Sequence, residues 1–257
     1  MIGVARSTCA PAPTTKQWRS GTSIATRAVG LTLMIGHDDC RDAAIDPKGN
    51  LPVTIKGVDM SDQEKSVQGR GAAPAVVALA GRRIDAAGAQ PARFPLERIQ
   101  AVGERIAKAL RDLNAQALVC SAACGADLIA LEQAERLGLR RRIVLPFAAD
   151  RFLVSSVNDR PGDWEAVFKR QVAAAAAVGD LVVLEGKESD ERAYSAANEA
   201  IVEEAQALAR TKTEGKARRL VALLVWEGKA RPGSDATAEF GKLAAKGGFK
   251  VESVLTL

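Results

Sequence analysis

The chain has 257 residues and a formal net charge of +5, and 47% of its residues are hydrophobic although only 4% are aromatic. This length fits one large domain or two small ones, and the scarcity of rings predicts a core of Ala, Val, Leu and Ile, as in helices packed on a parallel sheet. Basic and acidic residues are interspersed, which favours a solvated surface over a nucleic-acid-binding face.

Several function classes are excluded by what the sequence lacks. The only histidine, His37, falls in the irregular N-terminal region, so the domain that follows has no histidine for a Ser/His/Asp triad or a histidine-rich metal site. No GxxxxGK[ST] motif and no GxGxxG after the first strand support ATP hydrolysis or hydride transfer. We therefore expect no metal and no cofactor.

The cysteines and the apolar runs predict the location of the protein. The four cysteines form no CxxC pair, which is typical of a reducing cytoplasm. No apolar run approaches the roughly 20 residues of a membrane-spanning helix, and no sustained apolar segment near the N-terminus resembles a signal peptide. We expect a cytoplasmic protein without a membrane partner.

Residues 1–73 show no sustained periodicity and mix Ser, Thr, Gly, Pro and Asp with short apolar stretches. This composition predicts an irregular or disordered leader. The run RGAAP at 70–74 indicates a linker, so we place one domain at 74–257.

Within that domain, apolar runs of strand length alternate with stretches of helical periodicity. The predicted strands are 76–80, 117–121, 142–146, 180–184, 220–225 and 249–254. The predicted helices are 95–113, 126–137, 164–178, 191–209 and 237–245. Strict alternation, with strands apolar on both faces, predicts an α/β fold: a doubly wound, mainly parallel sheet of about six strands in a Rossmann-like three-layer sandwich. Ligand-binding residues are then expected in the loops that follow the strands.

The loop after the first strand carries two adjacent arginines. Gly81 lets the backbone turn off the strand, and Arg82 and Arg83 are suited to pair with phosphate or carboxylate, or are solvated. Asp85 and Arg93 follow at the same mouth and join them as candidate ligand contacts.

The second strand runs into SAACGAD at 121–127, where a helix begins near Gly125. Small residues and the N–H groups of a helix start favour an anion, so we predict ligand binding at Gly125, Ala126 and Asp127. Asp127 either caps the helix or binds a ribose hydroxyl.

Polar candidates also follow the third and fourth strands. Ser155 and Ser156 are suited to donate to phosphate, close to Phe152, which either forms an apolar wall for a base or belongs to the core. Tyr194 and Asn198 lie four residues apart on a helix and share a face, so they either line one pocket or tie helix to loop.

After the fifth strand, Gly233, Ser234 and Thr237 stand at the start of a helix. They form a second candidate nest of backbone N–H groups for an anion. Two such nests could hold two phosphates, or a phosphate and a ribose.

The motifs GRRID, RFP, SAACGADLIALE, LPF and VWEG with GSDATAEF follow one another in an order that resembles the SLOG superfamily. That superfamily includes the Lonely-Guy phosphoribohydrolases, the DNA-processing protein A fold and many sensor domains for nucleotide ligands. The resemblance covers about 75–257 and is strongest to the bacterial sensor branch, whose first motif carries a histidine where this chain has Arg82. It implies a Rossmann-like fold and a nucleotide ligand.

The hydrolases of the superfamily carry PGGxGTxxE, whose glutamate takes part in releasing the base from ribose 5-phosphate. Aligned by Pro232, this chain has Phe240 in the glutamate position and Glu239 one residue earlier. One residue on a helix is a rotation of about 100°, so we expect the Glu239 carboxylate to point away from the ligand.

The preferred hypothesis is a binding module that senses a nucleotide or nucleotide-derived ligand and signals to a partner protein or within a homo-oligomer. The alternative is an N-glycosidic hydrolase of nucleoside monophosphates with Glu239 as its catalytic carboxylate. Single-stranded DNA binding is the weaker alternative, because such binding usually needs a basic groove and aromatic side chains for base stacking, and the sequence offers little of either.

Overall fold

The computed structural model describes residues 73–187, 191–211 and 218–257, so the leader predicted at 1–73 lies outside the described residues except for its last position. The strands are β1 (Ala75–Gly81), β2 (Ala115–Cys120), β3 (Arg140–Leu145), β4 (Leu181–Val183), β5 (Arg219–Trp226) and β6 (Lys250–Leu255). The helices are α1 (Ile99–Asp112), α2 (Ala126–Arg136), α3 (Ala149–Phe152), α4 (Glu165–Ala177), α5 (Glu191–Arg210) and α6 (Ala236–Lys246).

All six strands pair in parallel, in the order β4-β3-β2-β1-β5-β6. The chain first builds outward from β1 to β4, and α5 then carries it back to place β5 on the other side of β1. The direction of winding therefore reverses between β1 and β5, which is where doubly wound sheets form their ligand crevice. The predicted fold class is confirmed.

The sheet is covered by helices on both faces because its central strands are apolar on both sides. Val77 and Leu79 of β1 pack into a core with α1, α2 and α4, whereas Val76 and Ala78 pack with α5 and α6. Alternate residues of one strand thus enter two separate cores, as the period of a strand requires. None of the described helices is long and apolar enough to cross a membrane.

The segment after β3 differs from the prediction of a loop. It forms the four-residue helix α3, which continues as a π-helical turn at Leu153–Val157. Four residues make little more than one turn, too short for helical periodicity to be visible in the sequence. The turn places Ser155 and Ser156 beside the end of β1, where the carbonyl oxygen of Ser155 accepts a hydrogen bond from Arg83.

Candidate functional site

A cavity of about 780 Å³ opens at the carboxyl ends of β1, β2 and β3. Its lining contains all the predicted site residues except Gly125, Ala126 and Gly233. Those in the lining are Gly81, Arg82, Arg83, Asp85, Arg93, Asp127, Ser155, Ser156, Tyr194, Asn198, Ser234, Thr237 and Glu239. The parallel topology explains this convergence, because all of these loops leave the sheet at the same edge.

Gly125 and Ala126 pack against the end of β1. Gly125 has φ 98°, and a Cβ atom there would lie 2.8 Å from the carbonyl oxygen of Arg82 and 2.8 Å from the backbone nitrogen of Ile84. The N–H of Ala126 donates to that same Arg82 carbonyl at 3.1 Å. These small residues allow α2 to start against the β1 loop. The N–H of Ala126 already donates to Arg82, so it is not free to bind an anion, which the sequence had predicted it to do.

Asp127 lies in the second position of α2 and is 8% exposed. Its Oδ2 accepts a hydrogen bond from the N–H of Ala123 at 3.2 Å, so it bonds the chain before the helix, while Gly125 is the N-cap residue. Burial raises the pKa of Asp127 to about 7, although the bond from Ala123 and the charge of Arg83 oppose the rise. The cavity wall therefore contains a carboxyl group that titrates near neutral pH.

This raised pKa predicts a pH-dependent stability. A carboxyl whose folded pKa lies above its unfolded value of about 4 stabilises the protein fully below that value, and the contribution is lost as pH rises towards 7. Between pH 5 and pH 7 we expect the free energy of unfolding to fall by about 2 kcal/mol in wild type relative to Asp127→Asn, which keeps the acceptor for Ala123. Urea unfolding of both proteins across this range tests it, and parallel pH curves would contradict it.

The predicted anion nest at the start of α6 is filled by a carboxylate of the chain itself. Asp235 is the N-cap residue of α6, and its Oδ1 accepts hydrogen bonds from the N–H groups of Thr237 and Ala238, both at 3.1 Å. Its Oδ2 accepts from the N–H of Arg231 at 2.6 Å. Gly233 lies outside the cavity lining with φ 77°, and a Cβ atom added there would have no neighbour within 4 Å. An aspartate directly before a periodic helical run is a capping signal, which the prediction of an open nest did not take into account.

Arg82 is 3% exposed and joins β1 to β5 and α6 through two carboxylates. Its Nε and Nη2 donate to Glu227 at 2.6 and 3.0 Å, and its Nη1 and Nη2 donate to Asp235 at 2.7 and 2.8 Å. We call these three residues the Arg82 cluster. Burial by itself would lower the pKa of Arg82 and raise the pKa of Asp235. The hydrogen bonds outweigh burial, so they raise the pKa of Arg82 and hold the pKa of Asp235 well below its usual range. The Arg82 guanidinium, which the sequence predicted to bind phosphate, is already hydrogen-bonded to two carboxylates of the chain.

Arg83 points to the other side of β1. Its Nη1 donates to Asp159 at 2.9 Å and to the carbonyl oxygen of Ser155 at 3.1 Å, and its side chain is 32% exposed. The two adjacent arginines therefore face different environments, one buried and one accessible from the cavity.

The loop after β1 is held by Asp85. Its Oδ2 accepts from the N–H groups of Arg93 and Phe94, at 2.8 and 2.9 Å. Asp85 thus positions Arg93 at the cavity wall, where the Arg93 Nε lies 3.8 Å from Glu227 Oε1.

The opposite wall is partly aromatic. Phe152 lines the cavity, and the Tyr194 ring packs edge-on against buried Phe147 with centroids 5.9 Å apart. The Tyr194 hydroxyl lies 3.3 Å from Ser156 Oγ, and Asn198 donates to the carbonyl oxygen of Ala236 at 3.4 Å. Tyr194 and Asn198 therefore line one cavity, and Asn198 also joins α5 to α6.

Glu239 lies in the cavity lining, contrary to the expectation that its offset by one residue turns it away. Ser234 Oγ donates to its Oε1 at 3.4 Å. Phe240 instead is fully buried against the sheet among α5 and α6 residues. The amphipathic face of α6 explains the difference, because an aromatic ring at 240 has to enter the core and the preceding residue then faces the strand ends.

The sequence did not predict three polar residues of the lining that contribute to the arguments below, namely Ser121, Arg160 and Arg231. Among the described residues, the buried side-chain nitrogen and oxygen atoms without a hydrogen-bond partner are Arg93 Nη1, Ser121 Oγ and Arg160 Nε. Arg160 Nε does lie 3.3 Å from Asp159 Oδ2, but not in hydrogen-bonding geometry. All three atoms belong to residues of this one cavity lining.

No family model matches the sequence. No curated protein matches it either. Among solved structures, the chain is similar to the X-ray structure of DNA processing protein A from Streptococcus pneumoniae, with 17% sequence identity and a TM-score of 0.32. The match covers 69% of this chain and 58% of that chain.

Proposed function

We propose that the chain is a cytoplasmic binding module that holds a nucleotide or nucleotide-derived, phosphate-bearing molecule in the cavity at the end of β1. The observation that carries the proposal is the set of buried polar atoms without a hydrogen-bond partner, Arg93 Nη1, Ser121 Oγ and Arg160 Nε, all on residues that line the same cavity. A buried polar atom without a partner is costly and rare in folded proteins, so a group of them around one cavity favours a ligand that supplies the missing bonds.

The chemistry of the wall suits the parts of a nucleotide. Guanidinium groups pair well with phosphate oxygens, and the hydroxyls of Ser156 and Tyr194 are suited to a ribose. Phe152 and the Tyr194 ring offer an apolar surface to a base. The cavity also lies at the switch point of the sheet, where doubly wound α/β folds bind their ligands.

We favour binding without hydrolysis because this chain lacks the later glycines and the glutamate of the phosphoribohydrolase motif. Asp235 also occupies the N–H groups at the start of α6 that would bind phosphate. A sensor domain has to transmit ligand binding to another molecule, and we infer that this molecule is a partner protein or a second copy of the chain.

Hydrolysis of an N-glycosidic bond stays as the second candidate, on one specific observation. Glu239 and Asp127 both lie in the cavity lining, and the pKa of Asp127 is raised to about 7. Glycosidic cleavage by acid catalysis uses two carboxyl groups in one site, one of which has a raised pKa and acts as the acid.

The test is incubation of the purified chain with AMP, GMP, CMP and UMP, followed by thermal unfolding and by chromatography of released base. We expect at least one nucleotide to raise the unfolding midpoint, because it binds only the folded state, without release of base. Base release that disappears in Glu239→Gln would make the chain a hydrolase. A chain that shifts oligonucleotides in a salt-sensitive manner but gains no stability from any nucleotide would contradict the proposal in favour of DNA binding.

A further inference from the structure

Two arginines border the Arg82 cluster on its cavity side. Arg93 Nε lies 3.8 Å from Glu227 Oε1, and Arg231 Nε lies 3.9 Å from Asp235 Oδ2. Both distances exceed that of a hydrogen bond, because Arg82 already takes these carboxylates in bonds of 2.6 to 3.0 Å. Neither guanidinium donates a hydrogen bond to another described residue, and Arg93 Nη1 is buried without a partner.

Positive charge is concentrated at this place. Burial lowers the pKa of Arg231, and the nearby charges of Arg82 and Arg93 lower it further against the opposing effect of Asp235 and Glu227. Three guanidinium groups stand around two carboxylates, so the cluster with its two neighbours carries a formal excess of one positive charge. An anion between Arg93 and Arg231 would relieve this repulsion.

The backbone positions that commonly bind phosphate are filled in this chain. The N–H of Ala126 at the start of α2 donates to Arg82, and those of Thr237 and Ala238 at the start of α6 donate to Asp235. These N–H groups are not free to bind a phosphate, which favours side chains as its partners. Three cavity arginines, Arg93, Arg160 and Arg231, donate no hydrogen bond to a carboxylate of the described residues. Arg160 Nε lies 3.3 Å from Asp159 Oδ2, whereas Arg93 and Arg231 both lie beside the Arg82 cluster.

We propose that Arg93 and Arg231 form the phosphate subsite of the cavity and hold the phosphoryl group of the nucleotide between their guanidinium forks. This inference rests on the proposed function. It replaces helix N-termini by a pair of arginines as the phosphate anchor, and it leaves Arg82 as the residue that positions the pair through Glu227 and Asp235.

The experiment compares each nucleoside monophosphate with its nucleoside, in the wild type and in variants, by calorimetric titration of the full chain. In the wild type the nucleotide should bind at least about tenfold more tightly than the nucleoside, since each charge-assisted bond contributes substantially. In Arg93→Met and in Arg231→Met this ratio should fall towards one, while affinity for the nucleoside stays the same. Arg136→Met removes the same charge from an exposed position of α2 outside the cavity and should keep the wild-type ratio.

Arg93→Lys and Arg231→Lys guard against loss of fold and of net charge. They keep the charge but not the fork, so the ratio should fall to between the values of the wild type and the methionine variants. A wild-type ratio in both methionine variants, with nucleotide binding intact, would overturn the subsite and leave the proposed function standing. Absence of nucleotide binding in the wild type would overturn both.

Discussion

Replacing Arg82 with methionine is expected to lower the free energy of unfolding by about 3–5 kcal/mol, the usual effect of removing one partner from a buried ion pair. Methionine keeps much of the volume but removes the guanidinium that is hydrogen-bonded to Glu227 and to Asp235, which is 3% exposed. Arg93 and Arg231 lie 3.8 and 3.9 Å from these carboxylates and do not replace those bonds. Urea unfolding at pH 7 measures the change.

Arg83→Met is the matched control, since it removes the same side chain from the next position. Arg83 pairs with Asp159, and both are about 30% exposed, so we expect a loss of only about 0–1 kcal/mol. Adding Asp235→Asn to Arg82→Met should restore part of the stability, because the buried unpaired charge is removed. Equal losses for Arg82→Met and Arg83→Met would contradict a structural role of the Arg82 cluster.

Gly125→Ala is expected to lower the free energy of unfolding by at least about 3 kcal/mol. The backbone at Gly125, with φ 98° and ψ −124°, lies in a region that L side chains rarely adopt. The added Cβ would also lie 2.8 Å from two backbone atoms of the β1 loop, which cannot move aside as a side chain would. Chemical unfolding of the variant measures the loss.

Gly138→Ala separates the two causes. Gly138 also has a positive φ, 67°, but a Cβ atom added there would meet no atom within 4 Å, so only conformational strain of about 1 kcal/mol is expected. Similar losses at both positions would show that the contact of α2 with the β1 loop contributes nothing. Substitution at Gly125 therefore reports on packing and is not a clean test of ligand binding.

Much of the fold could be predicted because its signals are local. Hydrophobic periodicity within a few residues distinguishes the strands from the helices, and strands apolar on both faces require cover on both sides. The segment at 149–157 was missed for the same reason, since the four residues of α3 make little more than one helical turn and show no repeating pattern. The sequence also predicted that most candidate residues line one cavity, because parallel strands place their loops at a common edge of the sheet.

The individual roles of those residues could not be predicted. Arg231 and Ser121 carry no sequence signal beyond residue type, and Glu239 was expected to face away because its helix was aligned by a motif and not by its own buried face. Asp235 did carry a capping signal, but capping by that aspartate also closes the anion nest predicted around it.

By itself the sequence determined the six-stranded α/β architecture and the edge of the sheet at which polar side chains meet. Only the tertiary structure distinguished Arg82 from Arg83, because the partners of Arg82 lie 145 and 153 residues away at Glu227 and Asp235. Tertiary packing likewise made Gly125 a contact between α2 and the β1 loop. Side chains and their partners come from distant parts of the chain, so burial and pairing depend on the folded arrangement and not on neighbouring residues.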